Sequence, residues 1–316
     1  MTVLATRPLR FGVQLQPRGT TWPEYLQAVR AVEELGFDTV WNFDHMLAPA
    51  GDLADPCFET WTTLSAMAAC TSRIGVGALV NGVLYRDPAT LAKSAAMVDL
   101  ISGGRLQFAL GSAWAEPEFR AYGLPFPSRG ERLSRLEETL EIVKMLWTQD
   151  RTTYQGQYYT IADAPCEPKP LQQPYPPIMI GGMGRRTLGL TAKHADIWNG
   201  IGTPESIADA IETLRASCAE IGREPSEIEL TVHPPQLVIA PTNEAAEAKA
   251  REITGRLGMD LEAERGSWLI GSPEAVQAQI RRYADLGITH WIMGAGAPFD
   301  LEGLRLFADE VFPAFR

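Results

Sequence analysis

Pro177 to Asn199 reads PIMIGGMGRRTLGLTAKHADIWN. Ile178, Met179 and Ile180 form a short apolar run that stops at Gly181-Gly182, and Gly184-Arg185-Arg186 opens a segment carrying Leu188, Leu190 and Ala192. The pattern predicts a buried strand, a tight glycine turn and a helix. Glycines let backbone approach a ligand, and the free N–H groups of a helix N-terminus favour an anion. One reading of the turn is therefore a phosphate site, with Arg185 or Arg186 as counter-charge. The other is that the glycines serve shape alone, since the spacing matches neither GxGxxG nor GxxxxGK. Both stay open on the residues.

The same alternation extends in both directions. Upstream, Arg10–Leu15 reads as a strand and Trp22–Leu35 as a helix with Thr21 as N-cap and Gly36 as stop. Thr39–Phe43 is the second strand, Phe58–Ala69 a helix, Ile74–Val80 the third strand, and Asp87-Pro88 starts a helix that Gly103-Gly104 ends. Leu106–Leu110 is the fourth strand. Ser128-Arg129-Gly130-Glu131 has capping-box spacing, and Leu133, Leu136, Leu140, Val143 and Leu146 continue an amphipathic helix to about Thr148. Thr153–Ile161 reads as a hairpin turning near Gly156, outside the main repeat.

Downstream, strands are expected at Asp196–Ile201, Ile228–His233 and Thr289–Met293, with helices from Pro204, over Asn243–Leu257, from Pro273 to near Gly287, and over Leu301–Val311. Eight strands each followed by a helix predict an α/β chain folded as a single (β/α)8 TIM barrel across residues 1–316. The longer loops, Asp52–Glu59, Trp114–Arg129 and Gly258–Leu269, are the insertion segments expected at its C-terminal mouth.

Composition sets limits on partners. The chain of 316 residues is 45% apolar and 21% charged, an ordinary globular balance. A net charge of −11 with no basic run argues against nucleic-acid or anionic-membrane partners. No apolar run approaches a membrane span, and the N-terminus lacks the core of a signal peptide, so a cytoplasmic location is expected. Cys57, Cys70, Cys166 and Cys218 are scattered without metal-ligand spacing and read as reduced core thiols, with no metal site.

In barrels of this type ligands meet the C-terminal strand ends. Gln14, Gln16, Asn42, Phe43, Asp44, His45, Val80, Asn81, Gly111, Ser112, Ala113, Trp114, Gly181, Gly182, Met183, Gly184, Asn199 and His233 fall there. Asp44-His45 is the sharpest pair, because a histidine beside a carboxylate can act as general acid or base near neutral pH. The alternative is that the two merely cap the loop. His194, inside a helix, and His290, starting a strand, read as structural. Gly111-Ser112-Ala113-Trp114 is either a turn or a place for a ring or phosphate. Glu116 and Glu118 read as solvated charges, and Arg86 and Lys93 as surface cations.

Taken together, EELGFDTVWNFDHM, WTTLSAMAACTSRIGVGALV, YRDPATLAKSAAMVDLISGGRLQFALGSAW, YGLPFPSRGERLSRLEETLEIVKMLW, YYTIADAPCEPKPLQ and PPIMIGGMGRRTLGLTAKHADIWN resemble the luciferase-like monooxygenase superfamily, in its coenzyme F420 branch. The resemblance implies the same barrel and a homodimer. It implies Asp44-His45 assisting proton transfer at the cofactor and a non-proline cis peptide at Leu79-Val80. Gly111 to Ala113 and Gly181 to Gly184 would make the ribityl and phosphate contacts, with Arg185 as an added phosphate partner. Gln14, Asn42, Trp114 and His233 are expected around a small organic substrate. One position departs: deazaflavin-dependent sugar-phosphate dehydrogenases carry a catalytic glutamate where this chain has Trp114, which argues against that substrate. Three functions follow in order: an F420-dependent hydride transfer, a monooxygenase using reduced FMN and oxygen, and flavin binding without turnover.

Overall fold

Strand hydrogen bonding closes on itself in the computed structural model, which describes residues 7–49 and 53–316. Among these residues the barrel strands are β1 (Arg10–Leu15), β2 (Thr39–Asn42), β3 (Gly75–Ala78), β4 (Leu106–Gly111), β5 (Ile178–Gly181), β6 (Ile197–Gly200), β7 (Glu229–Val232) and β8 (His290–Ala295). Each runs parallel to its sequence neighbours, and β1 pairs with β8 from Arg10↔His290 to Leu15↔Ala295, which completes the ring. The (β/α)8 architecture is therefore as the alternation predicts. Residues 1–6 and 50–52, including the start of the loop expected at Asp52–Glu59, lie outside the described residues.

Two cores follow from the two faces of each strand. Trp41, Ala109, Met179, Ile197 and Ile292 pack inside the barrel with Leu79. A larger shell, including Phe11, Val13, Val40, Phe108, Ile180 and Trp198, packs between the strands and the helices. Trp41 has its space because β3 carries glycine opposite it: a Cβ on Gly77 would lie 2.6 Å from the indole ring.

Helix limits follow the expected signals. α1 (Trp22–Glu34) opens on a Thr21/Glu24 capping box, α2 spans Thr60–Cys70, and α3 (Pro88–Ser102) starts where Asp87 accepts the Ala89 N–H. After the short α4 (Glu116–Ala121), Ser128 caps α5 (Arg129–Thr148). The quoted stretch gives β5 and then α6 (Arg185–His194). α7 (Pro204–Ile221), α8 (Asn243–Leu257), α9 (Leu261–Glu264), α10 (Pro273–Ala284) and α11 (Leu301–Leu306) complete the set. The expected hairpin forms from Thr152–Gln155 and Thr160–Ala164; it packs along α5, where Glu138 accepts the amides of Gln157, Tyr158 and Tyr159.

Three differences from the sequence reading bear on the site. The third strand stops at Ala78 rather than Val80; the Leu79–Val80 peptide is cis, and Asn81–Gly82 then forms a two-residue strand on β4. The last helix ends at Leu306, followed by a wider turn over Phe307–Val311. Leu237–Ile239 and Leu269–Gly271 form an additional parallel pair after β7, too short for periodicity to reveal. Val238, Ala250, Leu261 and Trp268 pack as a small core between this pair and its helices. Among the described residues no helix is long and apolar enough to cross a membrane.

Candidate active site

A cavity of about 590 Å³ opens at the C-terminal ends of the strands. It is reached by Gln14 near the end of β1, His45 after β2, Val80 after β3, Ala113 after β4, Gly182 after β5 and His233 after β7. Asp44, Leu79, Gly111, Ser112, Trp114, Gly181 and Asn199 also line it, as do Leu257, Met259 and Trp268 from the segment after β7. Most of the residues singled out in the sequence therefore converge on one space.

The expected Asp44–His45 partnership does not form. Asp44 accepts two hydrogen bonds from Arg86, at 2.8 and 3.0 Å, and one from the Gly82 amide. Arg86, read from sequence as a surface cation, is thus a largely buried partner that also reaches Glu59 at 2.5 Å. The carboxylate beside His45 is Glu118, whose Oε1 lies 2.7 Å from Nδ1. Glu118 is not a solvated charge: only 3% exposed, it also accepts the Met46 and Leu47 amides and the Tyr85 hydroxyl.

Burial acts to raise the Glu118 carboxyl, but the bonds from His45, Tyr85 and Met46 outweigh it and hold it below the ordinary range. Its role as an acceptor makes His45 Nδ1 the donor and leaves Nε2 as the free ring nitrogen. The imidazole sits edge-on between Phe43, with centroids 5.1 Å apart, and Trp114, at 5.4 Å. Trp114 is 66% exposed and lines the mouth of the cavity. Phe119, stacked on Tyr85 at 4.6 Å, anchors α4 and so fixes Glu118. A six-residue helix has no apolar period, which is why nothing in the sequence distinguished Glu118 from Glu116.

Strand parity decides two further positions. Trp41 fills the barrel, so Asn42 faces outward, where its Nδ2 donates to the Thr60 carbonyl at 3.0 Å; it does not line the cavity. Asn81 is buried, donates to the Ala109 carbonyl at 2.8 Å, and is also withdrawn from it. Gln14 is at the wall, donating to the Leu79 carbonyl at 2.8 Å. His233 also lines the cavity; its Nδ1 donates to the Ile292 carbonyl at 2.6 Å, and burial pushes its pKa down to about 4. It is therefore a neutral imidazole presenting Nε2 as an acceptor. His290, bonded to Thr39 inside the barrel, and the buried His194 lie away from the cavity.

The two glycine turns serve Val80. A Cβ on Gly111 would lie 2.6 Å from Val80 Cγ2, and one on Gly181 would lie 2.9 Å from Cγ1, so the valine seats between two glycine strand ends. Ala113 has φ 58°, a conformation that costs a non-glycine residue roughly 1–2 kcal/mol. Gly182 turns at φ 139°, pinned by Trp198 Nε1 to its carbonyl at 2.9 Å. Met183, Gly184 and Arg185 continue outward from the cavity. Gly184 is the N-cap of α6 and supplies no side-chain cap, so the first-turn amides stay open. A Cβ there would meet Arg129 Nη2 at 2.5 Å, so Arg129, read in the sequence only as part of a helix-start signal, stands beside Gly184 at this helix end. The four cysteines carry no disulfide; Cys166 and Cys218 are buried, whereas Cys57 and Cys70 are only partly so.

A closed barrel whose cavity is built from strand ends and carries a carboxylate-held histidine defines a (β/α)8 enzyme. Residues 1–264 match the family model described as luciferase-like monooxygenase, and the chain belongs to that family and is an oxidoreductase. It is 29% identical over 318 residues to the F420-dependent glucose-6-phosphate dehydrogenase of Amycolatopsis mediterranei (strain U-32), covering 92% of this chain and 93% of that one. Over 175 residues it is 35% identical to the FMNH(2)-dependent dimethylsulfone monooxygenase of Pseudomonas putida, covering 55% of this chain and 48% of the relative. The fold superposes on an F420-dependent secondary alcohol dehydrogenase in complex with an F420-acetone adduct with a TM-score of 0.86 at 21% identity, covering 98% of this chain and 100% of that chain.

Proposed function

We propose that the protein is an F420-dependent oxidoreductase that exchanges a hydride between the deazaflavin and a small organic substrate, with His45 moving the accompanying proton. The observation that carries this reading is the His45–Glu118 pair, an imidazole fixed through Nδ1 by a buried carboxylate at the wall of a strand-end cavity. The cavity volume falls within the range of cofactor and substrate sites. The near full-length match to an F420-dependent dehydrogenase supports the same cofactor.

When bound, the coenzyme supplies the carbon that gives or accepts the hydride. The chain's part is to hold, orient and shield. Val80, seated between Gly111 and Gly181, gives an apolar floor for a flat ring. The open amides of α6, with Arg185 and Arg129, suit a phosphate. His45 Nε2 takes or returns a proton at a substrate oxygen, and His233 Nε2 accepts a hydrogen bond elsewhere on the lining. Arg18 is the sole lysine or arginine among the described lining residues, and its Nε donates to Gln16. That lining, with Trp114 at the rim, favours an uncharged substrate over a hexose phosphate.

The second reading is a monooxygenase using reduced FMN, favoured by the higher identity, over half the chain, to the Pseudomonas putida enzyme. Fluorescence titration with F420 and with FMN separates the two, followed by turnover with F420 plus neutral alcohols or with reduced FMN plus oxygen. F420 is expected to bind more tightly, and Arg185→Ala to weaken it by about tenfold or more. Tight FMN binding with oxygen incorporation and no affinity for F420 overturns the proposal.

A further inference from the structure

Outside the barrel mouth, α5 and α6 bring together a second cluster of ionisable groups. Glu137 and Glu141 lie one turn apart on α5, and His194 ends α6. One ligand atom from each lies within 4.8 Å of the others. We propose that Glu137, Glu141 and His194 form a binding site for a divalent transition metal, zinc being the best match, which clasps α5 to α6.

The carboxylates alone would carry no such inference; the histidine does. His194 is 7% exposed, and its Nε2 is buried without a hydrogen-bond partner among the described residues, 3.9 Å from Glu137 Oε1. A buried ring nitrogen left without a partner forfeits the bond it would make to water. Burial, reinforced by Lys193 and Lys144, pushes its pKa down to about 4, so the ring is neutral and able to ligate. Glu137 is held below the ordinary carboxyl range, chiefly by the hydrogen bond from Lys193, and is ionised.

Lys193 identifies what the pocket attracts. Its ammonium lies 2.8 Å from Glu137 Oε1 and 3.5 Å from Glu141 Oε1, a single positive charge between two carboxylates. The side chain is half-exposed and can withdraw into water. Tyr154 donates to Glu141 Oε2 at 2.8 Å, which leaves Oε1 towards the cluster. One imidazole, two carboxylates and a water suit zinc or cobalt better than magnesium or calcium, which prefer oxygen alone. Tetrahedral zinc needs ligand atoms on the order of 3.3 Å apart, and both glutamates, about a third exposed, have the freedom to close that far.

The test is calorimetric titration of the full chain, stripped with EDTA, with Zn²⁺, alongside the visible absorption of Co²⁺. Lys193→Ala should tighten binding by about tenfold, since the competing ammonium is gone. His194→Gln should weaken it by more than about tenfold and abolish the cobalt band. Because His194 is buried, Glu137→Gln with Glu141→Gln provides a more accessible alternative with the same expected loss. Absence of Zn²⁺ binding to the Lys193→Ala protein at millimolar metal, or binding unchanged by the double glutamine variant, overturns the proposal and leaves an ordinary ion pair.

Discussion

His45 can exchange a proton only if its ring keeps one orientation, and Glu118 supplies that constraint from α4. Replacing Glu118 by Gln keeps the volume but lets either amide atom face Nδ1, so the tautomer is no longer imposed. Glu118→Gln should lower kcat by about tenfold or more and shift the pH profile, while His45→Ala should lower it by roughly 10²–10⁴ and spare cofactor affinity. Steady-state kinetics across pH 5–9 checks both; an unchanged profile in Glu118→Gln removes the positioning role. His45 itself was legible in the sequence because a histidine at a strand end is conspicuous. Its partner was not, because Asp44 is adjacent in the chain and is taken up by Arg86 and the Gly82 amide, whereas Glu118 arrives only when α4 folds back over the mouth.

The strand ends after β4 and β5 work as a pair around Val80. Gly111→Ala would place a methyl 2.6 Å from Val80 Cγ2 with no room to shift between paired strands. Such overpacking should cost about 1–3 kcal/mol in urea unfolding, and Val80→Ala in the same chain should recover most of it. Additive losses in the double variant would show that the two side chains do not share that space. At this scale the sequence told most about regular elements: β5 and α6 were readable from PIMIGGMGRRTLGLTAKHADIWN almost residue by residue. It could not show that the glycines there accommodate a neighbouring valine as well as a ligand, nor that Arg129 comes to Gly184, because both are contacts between distant segments.

Across the molecule, His194, His233 and His290 are all held below the ordinary histidine value, first by burial. In the unfolded chain each takes up a proton as pH falls through about 6.5, whereas the folded chain resists until much lower pH. The unfolded state therefore binds more protons in that window, and stability must decline on acidification by up to ~1.4 kcal/mol per pH unit per histidine. The lowered carboxyls, Glu118, Glu33, Glu59 and Glu137 among them, act chiefly below about pH 5, so between pH 6.5 and 5 the imidazoles dominate the change. Urea midpoints in EDTA at pH 7, 6 and 5 should fall steadily; a flat series would contradict burial of these rings as neutral bases.

The barrel was legible from its eight alternations because each helix repeats an apolar stripe, while the Leu237–Ile239 and Leu269–Gly271 pair was hidden by its brevity. That pair and its helices have another consequence. Val238, Ala250, Leu261 and Trp268 bury one another in a small core of their own, while Ile239 and Leu269 of the same strand pair join the main core between strands and helices. Leu257 and Met259, which reach the cavity from the edge of that small core, are thus the lining positions whose shape can vary with least disturbance, whereas Trp268, 2% exposed, is held by the core it helps to make.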